Sequence, residues 1–361
     1  MAWNHRAYAT LADPARQSDL ADLASAYGCP KRFAFRKEEA SSGVEVAKKR
    51  AHGATVIGSG VHGTIATYLE PSRSACAKIL SGSLPSEAAV RAVLERQVLE
   101  AAEGLPIEWK AAEDSEMAAG VQMVLAALRD TAARACEVVL VEAPFLVELP
   151  GASGKAGYVF SGTIDLVYRP RTDPTALVLA DWKTGATRPS EISLDHGYQL
   201  GIYAAALASG TFFPGTPEER RIEQFPSEMF IAHLRDAVPY QKSGSKAPSH
   251  RDEIAYYQAE RGVDLERGSK VAYKAGEQRG PVWYRGRRVE LDIARLRVSV
   301  RNIVSTVRLG RFVENIGDDC ARCAFKHVCL EEGYSVEGDD KKRLERITAA
   351  LDFDGFDDAA A

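Results

Sequence analysis

No stretch of about 18 consecutive apolar residues occurs among the 361 residues, so the sequence offers no candidate for a membrane-spanning helix. The opening run MAWNHRAYATLADPARQ lacks a basic segment followed by an apolar one, the pattern of a secretory leader. A cytoplasmic setting is therefore expected. Cysteine is scarce, with six in all; disulfides are disfavoured in such a setting, so clustered cysteines there point to metal binding. No repeat at a fixed period is visible. No G-x-x-x-x-G-K-[ST] loop occurs either, which excludes a helicase motor of the P-loop kind within these residues. GASGKAG at 151–157 has the wrong spacing for a phosphate loop and reads as a hairpin loop between two strands.

What is present is ordinary globular material. The hydrophobic fraction is 45% and the charged fraction 27%, enough apolar residues for a substantial core. The formal net charge is −4, but residues 331–361 hold ten acids and four bases, which leaves +2 for residues 1–330. A mildly basic body does not exclude a local nucleic-acid groove. Residues 18–27 and 290–309 have helical periodicity, as does VIGSGVHGTIATYLE, where Ile57, Val61, Ile65 and Tyr68 share a face. Residues 86–135 are rich in Ala, Glu, Leu and Arg and predict two or three helices. From Val138 the texture changes: VVLVEAPFLVELP, AGYVFSGTIDLVYRP and TALVLADWKTG are branched and aromatic runs bounded by Gly and Pro, hence three strands. HGYQLGIYAAALAS returns to helical spacing, and SEMFIAHL reads as a further strand. The order predicts an α/β or α+β core with helical additions.

The polar residues inside those strands carry the chemistry. Asp165 sits among apolar neighbours in SGTIDLVYR, and Asp181 and Lys183 stand two apart in LVLADWKTG. Side chains alternate along a strand, so Asp181 and Lys183 share a face while Trp182 points the other way. The turn signal PRTDPT lies between, so the two strands pair and bring Asp165, Asp181 and Lys183 together. Two carboxylates at one strand end are costly unless compensated. A hard divalent cation such as Mg²⁺ or Mn²⁺ supplies that compensation; for a lone D-x-K, a salt-bridged strand pair does so as well.

The D-x-K is accompanied by G-x-x-x-H at Gly58 to His62, G-x-x-D at Gly162 to Asp165, and Q-x-x-x-Y at Gln199 to Tyr203. That ordered series resembles the RecB-like branch of the PD-(D/E)XK nucleases. The resemblance implies a restriction-endonuclease-like core, a central mixed sheet flanked by helices. It spans residues 1–330, with a helical insertion near 72–136 and a basic insertion near 241–288. It further implies His62, Asp165, Asp181 and the backbone carbonyl of Trp182 as ligands of Mg²⁺ or Mn²⁺. Lys183 would orient or activate the attacking water, and Gln199 and Tyr203 would support the site and hold the DNA backbone. His62 taken alone reads as a satisfied buried histidine; within the series it reads as a ligand.

The cysteines extend the resemblance. Cys320, Cys323 and Cys329 are spaced C-x₂-C-x₅-C, three thiols that need a fourth donor for a four-coordinate site. Iron–sulfur members of this branch, similar to AddB-type and CRISPR-associated RecB-like nucleases, take the fourth from near the N-terminus. That position matches Cys29 in SAYGCPKRFAF and implies a [4Fe–4S] clasp joining the two ends. A Cys₄ zinc site is the competing reading, and His327 inside the triplet could replace a thiolate. Cys76 and Cys136 lack partners at ligand spacing and are expected to be partly buried free thiols. Residues 242–288 hold eleven Lys or Arg against six acids, interleaved with aromatics, as a single-strand channel does; a solvated insertion reads equally well. Residues 331–361 form an acidic tail with the composition of disorder. The expected partners are DNA and a separate helicase or recombination protein. The expected activity is metal-dependent exonucleolytic cleavage of single-stranded DNA or DNA ends; a catalytically weak end-binding or docking protein is the alternative.

Overall fold

A computed structural model of the chain describes residues 51–149, 158–185, 198–238 and 282–285, together with residues 29, 31, 295 and 298. The Ile57, Val61 and Ile65 stripe is buried as its spacing predicts, and Leu69 continues it, on helix α1 (Gly53–Leu69). Helix α2 (Ser74–Leu80) follows. Helix α3 (Glu87–Ala102) starts where the Ser86 side chain accepts the Ala89 N–H at 3.2 Å, a serine N-cap. The long helix α4 (Glu113–Arg134) carries three acids in its first turn and Arg134 in its last, the arrangement that complements a helix dipole. The two or three helices expected over 86–135 are thus two. Strands β1 (Ala51–His52) and β2 (Ile107–Glu108) form a small parallel pair at the edge of this layer.

The three expected strands are β3 (Ala135–Leu149), β4 (Tyr158–Pro170) and β5 (Val178–Lys183). Helix α5 (Gln199–Ser209) then crosses to β6 (Thr211–Phe212) and β7 (Glu228–His233). Strand β8 (Val282–Arg285) completes a mixed sheet in the order β6-β3-β4-β5-β7-β8. Only β5 and β7 run parallel; every other neighbouring pair is antiparallel. Strand β8 lies within the stretch 241–288 read as a basic insertion, and pairs there with β7. The sequence signal was masked there by surrounding glycine and arginine.

The sheet is covered on both faces. Alpha helices α1 to α4 bury Val61, Leu94, Met123 and Leu128 against Leu166, Tyr168 and Trp182. On the other face, α5 packs its Ala-rich surface and Tyr203 on Phe145, Phe160, Ile164 and Leu179. Small side chains let that single helix lie close to the sheet. Among the described residues no helix is long and apolar enough to cross a membrane.

The expected helices at 18–27 and 290–309, the loop at 151–157, most of the basic stretch and the acidic tail lie outside the described residues, as do Cys320, Cys323 and Cys329. Cys29 is half-buried. The expectation of two partly buried thiols is corrected in both directions. Cys76 is fully buried under α1 to α4. Cys136 is exposed, its thiol facing the Arg169 and Pro170 carbonyls at 3.3 and 3.6 Å across the β3–β4 ladder.

Candidate functional site

Strand register creates the site. The β4–β5 ladder ends at Leu166↔Ala180, so the next residues facing each other are Asp165 and Asp181. There the strands part: the Trp182 N–H donates to Asp165 Oδ2 at 2.6 Å instead of to a backbone carbonyl. On the other side of β4, the pairs Val141↔Leu166 and Ala143↔Ile164 bracket Glu142 opposite Asp165. Three acids therefore stand in a row across β3, β4 and β5.

The pleat inverts along that row. Val141 packs in the α1–α4 core and Ala143 in the α5 core, although residues two apart on a strand normally share a face. The same switch separates Ile164 from Leu166 around Asp165. At Glu142 the backbone adopts φ 41°, in the left-handed region that non-glycine residues seldom occupy.

Two helices deliver the remaining groups. His62 on α1 donates from Nδ1 to Glu142 Oε1 at 2.9 Å and from Nε2 to the Trp182 carbonyl at 3.1 Å. With an acceptor at each nitrogen, the ring is an imidazolium. Its edge stands against the Trp182 indole, 5.7 Å between centroids. From α5, Gln199 Nε2 lies 2.9 Å from Asp181 Oδ1 and 2.7 Å from Tyr203 Oη, while Lys183 Nζ donates to Gln199 Oε1 at 3.2 Å. Lys183 also stands 2.5 Å from Asp181 Oδ2. That oxygen is fully buried, and the Lys183 ammonium is its close partner.

The glycines of the two G-containing motifs have separate uses. A Cβ at Gly58 would come within 2.9 Å of Thr184 Oγ1, so glycine lets α1 approach the end of β5. A Cβ at Gly162 would meet the Phe145 ring at 3.0 Å. That ring packs edge-on to Tyr203 at 5.7 Å, so Gly162 indirectly sets the Tyr203 hydroxyl beside Gln199.

The charges hold one another in place. Burial pushes Asp165 and Asp181 up to about 6, only partly offset by His62 and Lys183 respectively. Burial pulls His62 down, but Asp165, Glu142 and Asp181 outweigh it and hold the ring up at about 9. Lys183 is opposed by burial and raised by Asp181 and Asp165, so it stays an ammonium. Burial, with the Asp181 charge second, keeps the Tyr203 phenol protonated. As an ammonium, Lys183 can orient a water or offset phosphate charge.

Every sequence-predicted catalytic residue among those described meets here: His62, Asp165, Asp181, Lys183, Gln199, Tyr203 and the Trp182 carbonyl. Glu142 was missed. Its signal was a lone acid in VVLVEAPF, hidden because the register that sets it against Asp165 is not readable from alternation alone. The donors fit a hard cation. Ligand atoms of His62 and Asp165 lie within 4.8 Å of each other, with the Glu142 carboxylate in the same group, and the buried Asp181 Oδ2 beside the Lys183 ammonium adds a further oxygen.

No curated protein matches the chain. The profile of the PD-(D/E)XK nuclease superfamily matches residues 21–330, most of its length. Nucleases of this fold use divalent metal ions and act on DNA, and the mixed sheet, with Asp165 within β4 and Asp181 and Lys183 at the end of adjacent β5, is that fold. The chain belongs to the PD-(D/E)XK nuclease superfamily.

Proposed function

We propose that the protein is a Mg²⁺- or Mn²⁺-dependent DNA exonuclease of the RecB-like kind, working on single-stranded DNA or DNA ends in recombination, replication, repair or spacer processing. One observation carries the assignment of the site. Asp165 and Asp181 stand buried at the point where β4 and β5 part, with the Lys183 ammonium against Asp181. His62, Asp165, Asp181 and the Trp182 carbonyl would hold the cation, which when bound polarises the phosphate and lowers the pKa of its water. Lys183 orients that water through its N–H groups and offsets charge gathering on the phosphate oxygens. Gln199 ties Asp181, Lys183 and Tyr203 into one unit, which fixes α5 against the end of β5. The intact set of acids and lysine supports catalysis over a merely end-binding role.

Digestion of end-labelled single- and double-stranded DNA, with Mg²⁺, Mn²⁺ or a chelator, tests this reading. Progressive shortening from an end, abolished by the chelator, is expected. Internal cuts in a closed circle would replace the exonuclease assignment with an endonuclease, and metal-independent or absent cleavage would remove it.

The reading extends to the cysteines. Cys29, Cys320, Cys323 and Cys329 are proposed to hold a [4Fe–4S] cluster that ties the chain ends together; the spacing supports it, and Cys29 is a free thiol. Anaerobically purified protein should be brown with about four irons per chain, and Cys29→Ala should lose them as fully as Cys320→Ala. One zinc in a colourless protein would replace the cluster with a Cys₄ zinc site.

A further inference from the structure

Glu142 stands out by its backbone and by its side chain. Its backbone holds φ 41° in the middle of a strand, a conformation that is costly for a non-glycine residue and that clusters at functional sites. The pleat of β3 inverts at this residue, with Val141 and Ala143 packed in opposite cores. Its carboxylate meets only one edge of the His62 ring, Nδ1 at 2.9 Å, while Nε2 points 3.1 Å from the Trp182 carbonyl. The imidazole is thus strung between an acid on β3 and the backbone oxygen at the end of β5.

We infer that Glu142 is a positioning residue that acts through His62 and is not itself a ligand of the cation. By accepting the Nδ1–H it fixes the ring plane and, once Nε2 gives up its proton to make room for the cation, leaves the Nε2 lone pair facing the Trp182 carbonyl where the proposed cation would bind. A carboxylate behind a ligating histidine performs this task in metal sites generally. The strained backbone at Glu142 is the cost of turning the side chain out of the pleat to reach α1. This inference rests on the proposed assignment of His62 as a ligand.

Titration calorimetry of Mn²⁺ into the full chain separates the possibilities without using catalysis. Glu142→Ala should weaken Mn²⁺ binding by about 10- to 100-fold. Glu142→Gln should recover most of that loss, because the amide oxygen still accepts the Nδ1–H. On a His62→Ala background, adding Glu142→Ala should change affinity by less than about twofold, since a residue acting through its partner has nothing left to act on. Glu142→Gly guards against misfolding: glycine accepts φ 41°, so its metal-free melting temperature should equal or exceed the wild type while Mn²⁺ affinity falls as in Glu142→Ala.

Three outcomes overturn the inference. These are wild-type affinity in Glu142→Ala and Glu142→Gly, a Gln variant as weak as the Ala variant, or an undiminished loss on the His62→Ala background. The last two would make Glu142 a direct ligand. If the wild type itself binds no Mn²⁺, the nuclease reading falls and this one with it; if the wild type binds, only the role of Glu142 is at stake.

Discussion

The two sides of the central sheet are built from different interactions. Toward α1–α4, stability comes from area: Val61, Ile65, Leu94, Met123 and Leu128 are fully buried in one apolar cluster. Where β5 ends beside the middles of β3 and β4, buried polar groups replace aliphatic ones. Asp165, Asp181, Lys183, Gln199 and His62 form a closed set of ion contacts and hydrogen bonds. Area is forgiving of orientation, whereas a charged network is not. The first region keeps the chain folded, and the second holds like charges close together at some expense of that stability.

The largest effect should come from the polar region and fall on turnover alone. Asp181→Ala or Lys183→Ala should reduce cleavage of end-labelled DNA by at least about a hundredfold to a thousandfold. DNA affinity should stay within a few-fold, because phosphate contacts elsewhere supply most binding. Wild-type cleavage by either variant would remove these residues from the proposed mechanism.

The opposite outcome is expected in the helical core. Leu94→Ala or Leu128→Ala deletes a fully buried side chain and should lower unfolding free energy by about 2–5 kcal/mol. Activity per folded molecule should be retained below the melting transition. A core variant that loses turnover while staying folded would show that the two regions are coupled.

Changing pH should separate them without mutation. Asp165 and Asp181 are raised from 3.8 to about 6 by burial, so the stability they contribute is full below 3.8 and lost as pH rises through about 6. His62 is raised from 6.5 to about 9 against the pull of burial, so its contribution is full below 6.5 and lost as pH rises through about 9. All three run in one direction. The melting temperature of the metal-free protein should fall as pH is raised from about 5 to about 9.5. Mn²⁺ should restore more of it at the upper end than at the lower, and a pH-independent increment would contradict the charge assignments.

Gly162→Ala tests the hinge between the two kinds of structure. The added methyl meets the Phe145 ring at 3.0 Å, and that ring bears on Tyr203, so a loss of about 1–3 kcal/mol should accompany a drop in turnover. The smallest effect belongs to Cys136→Ser: the thiol is exposed, and a change within about 0.5 kcal/mol, with wild-type activity, is expected.

Much of this was legible in the sequence because the informative residues interrupt strong patterns. Asp165 and Asp181 break branched apolar runs, a turn signal sits between them, and simple pairing of neighbouring strands brings them together as observed. Gln199 and Tyr203 follow from helical spacing. Glu142 was not legible, since period-2 alternation assumes a regular pleat and the pleat inverts at that residue. Strand β8 was obscured for a compositional reason: four residues flanked by glycine and arginine carry too little periodicity to stand out. The exposure of Cys136 follows from its place at the start of β3, which a general tendency of cysteine to be buried cannot reveal.

Trp182 divides its labour in a way that bears on how this protein can change over time. Its indole belongs to the helical core, while its peptide group is fastened at both ends, N–H to Asp165 and carbonyl to His62. Substitution can delete every other proposed ligand, but no codon change removes a peptide oxygen. Drift at position 182 therefore acts only by degree: a smaller side chain lets β5 settle toward α1 and carries the carbonyl with it. Selection on core packing at this residue is also selection on the dimensions of the proposed metal site.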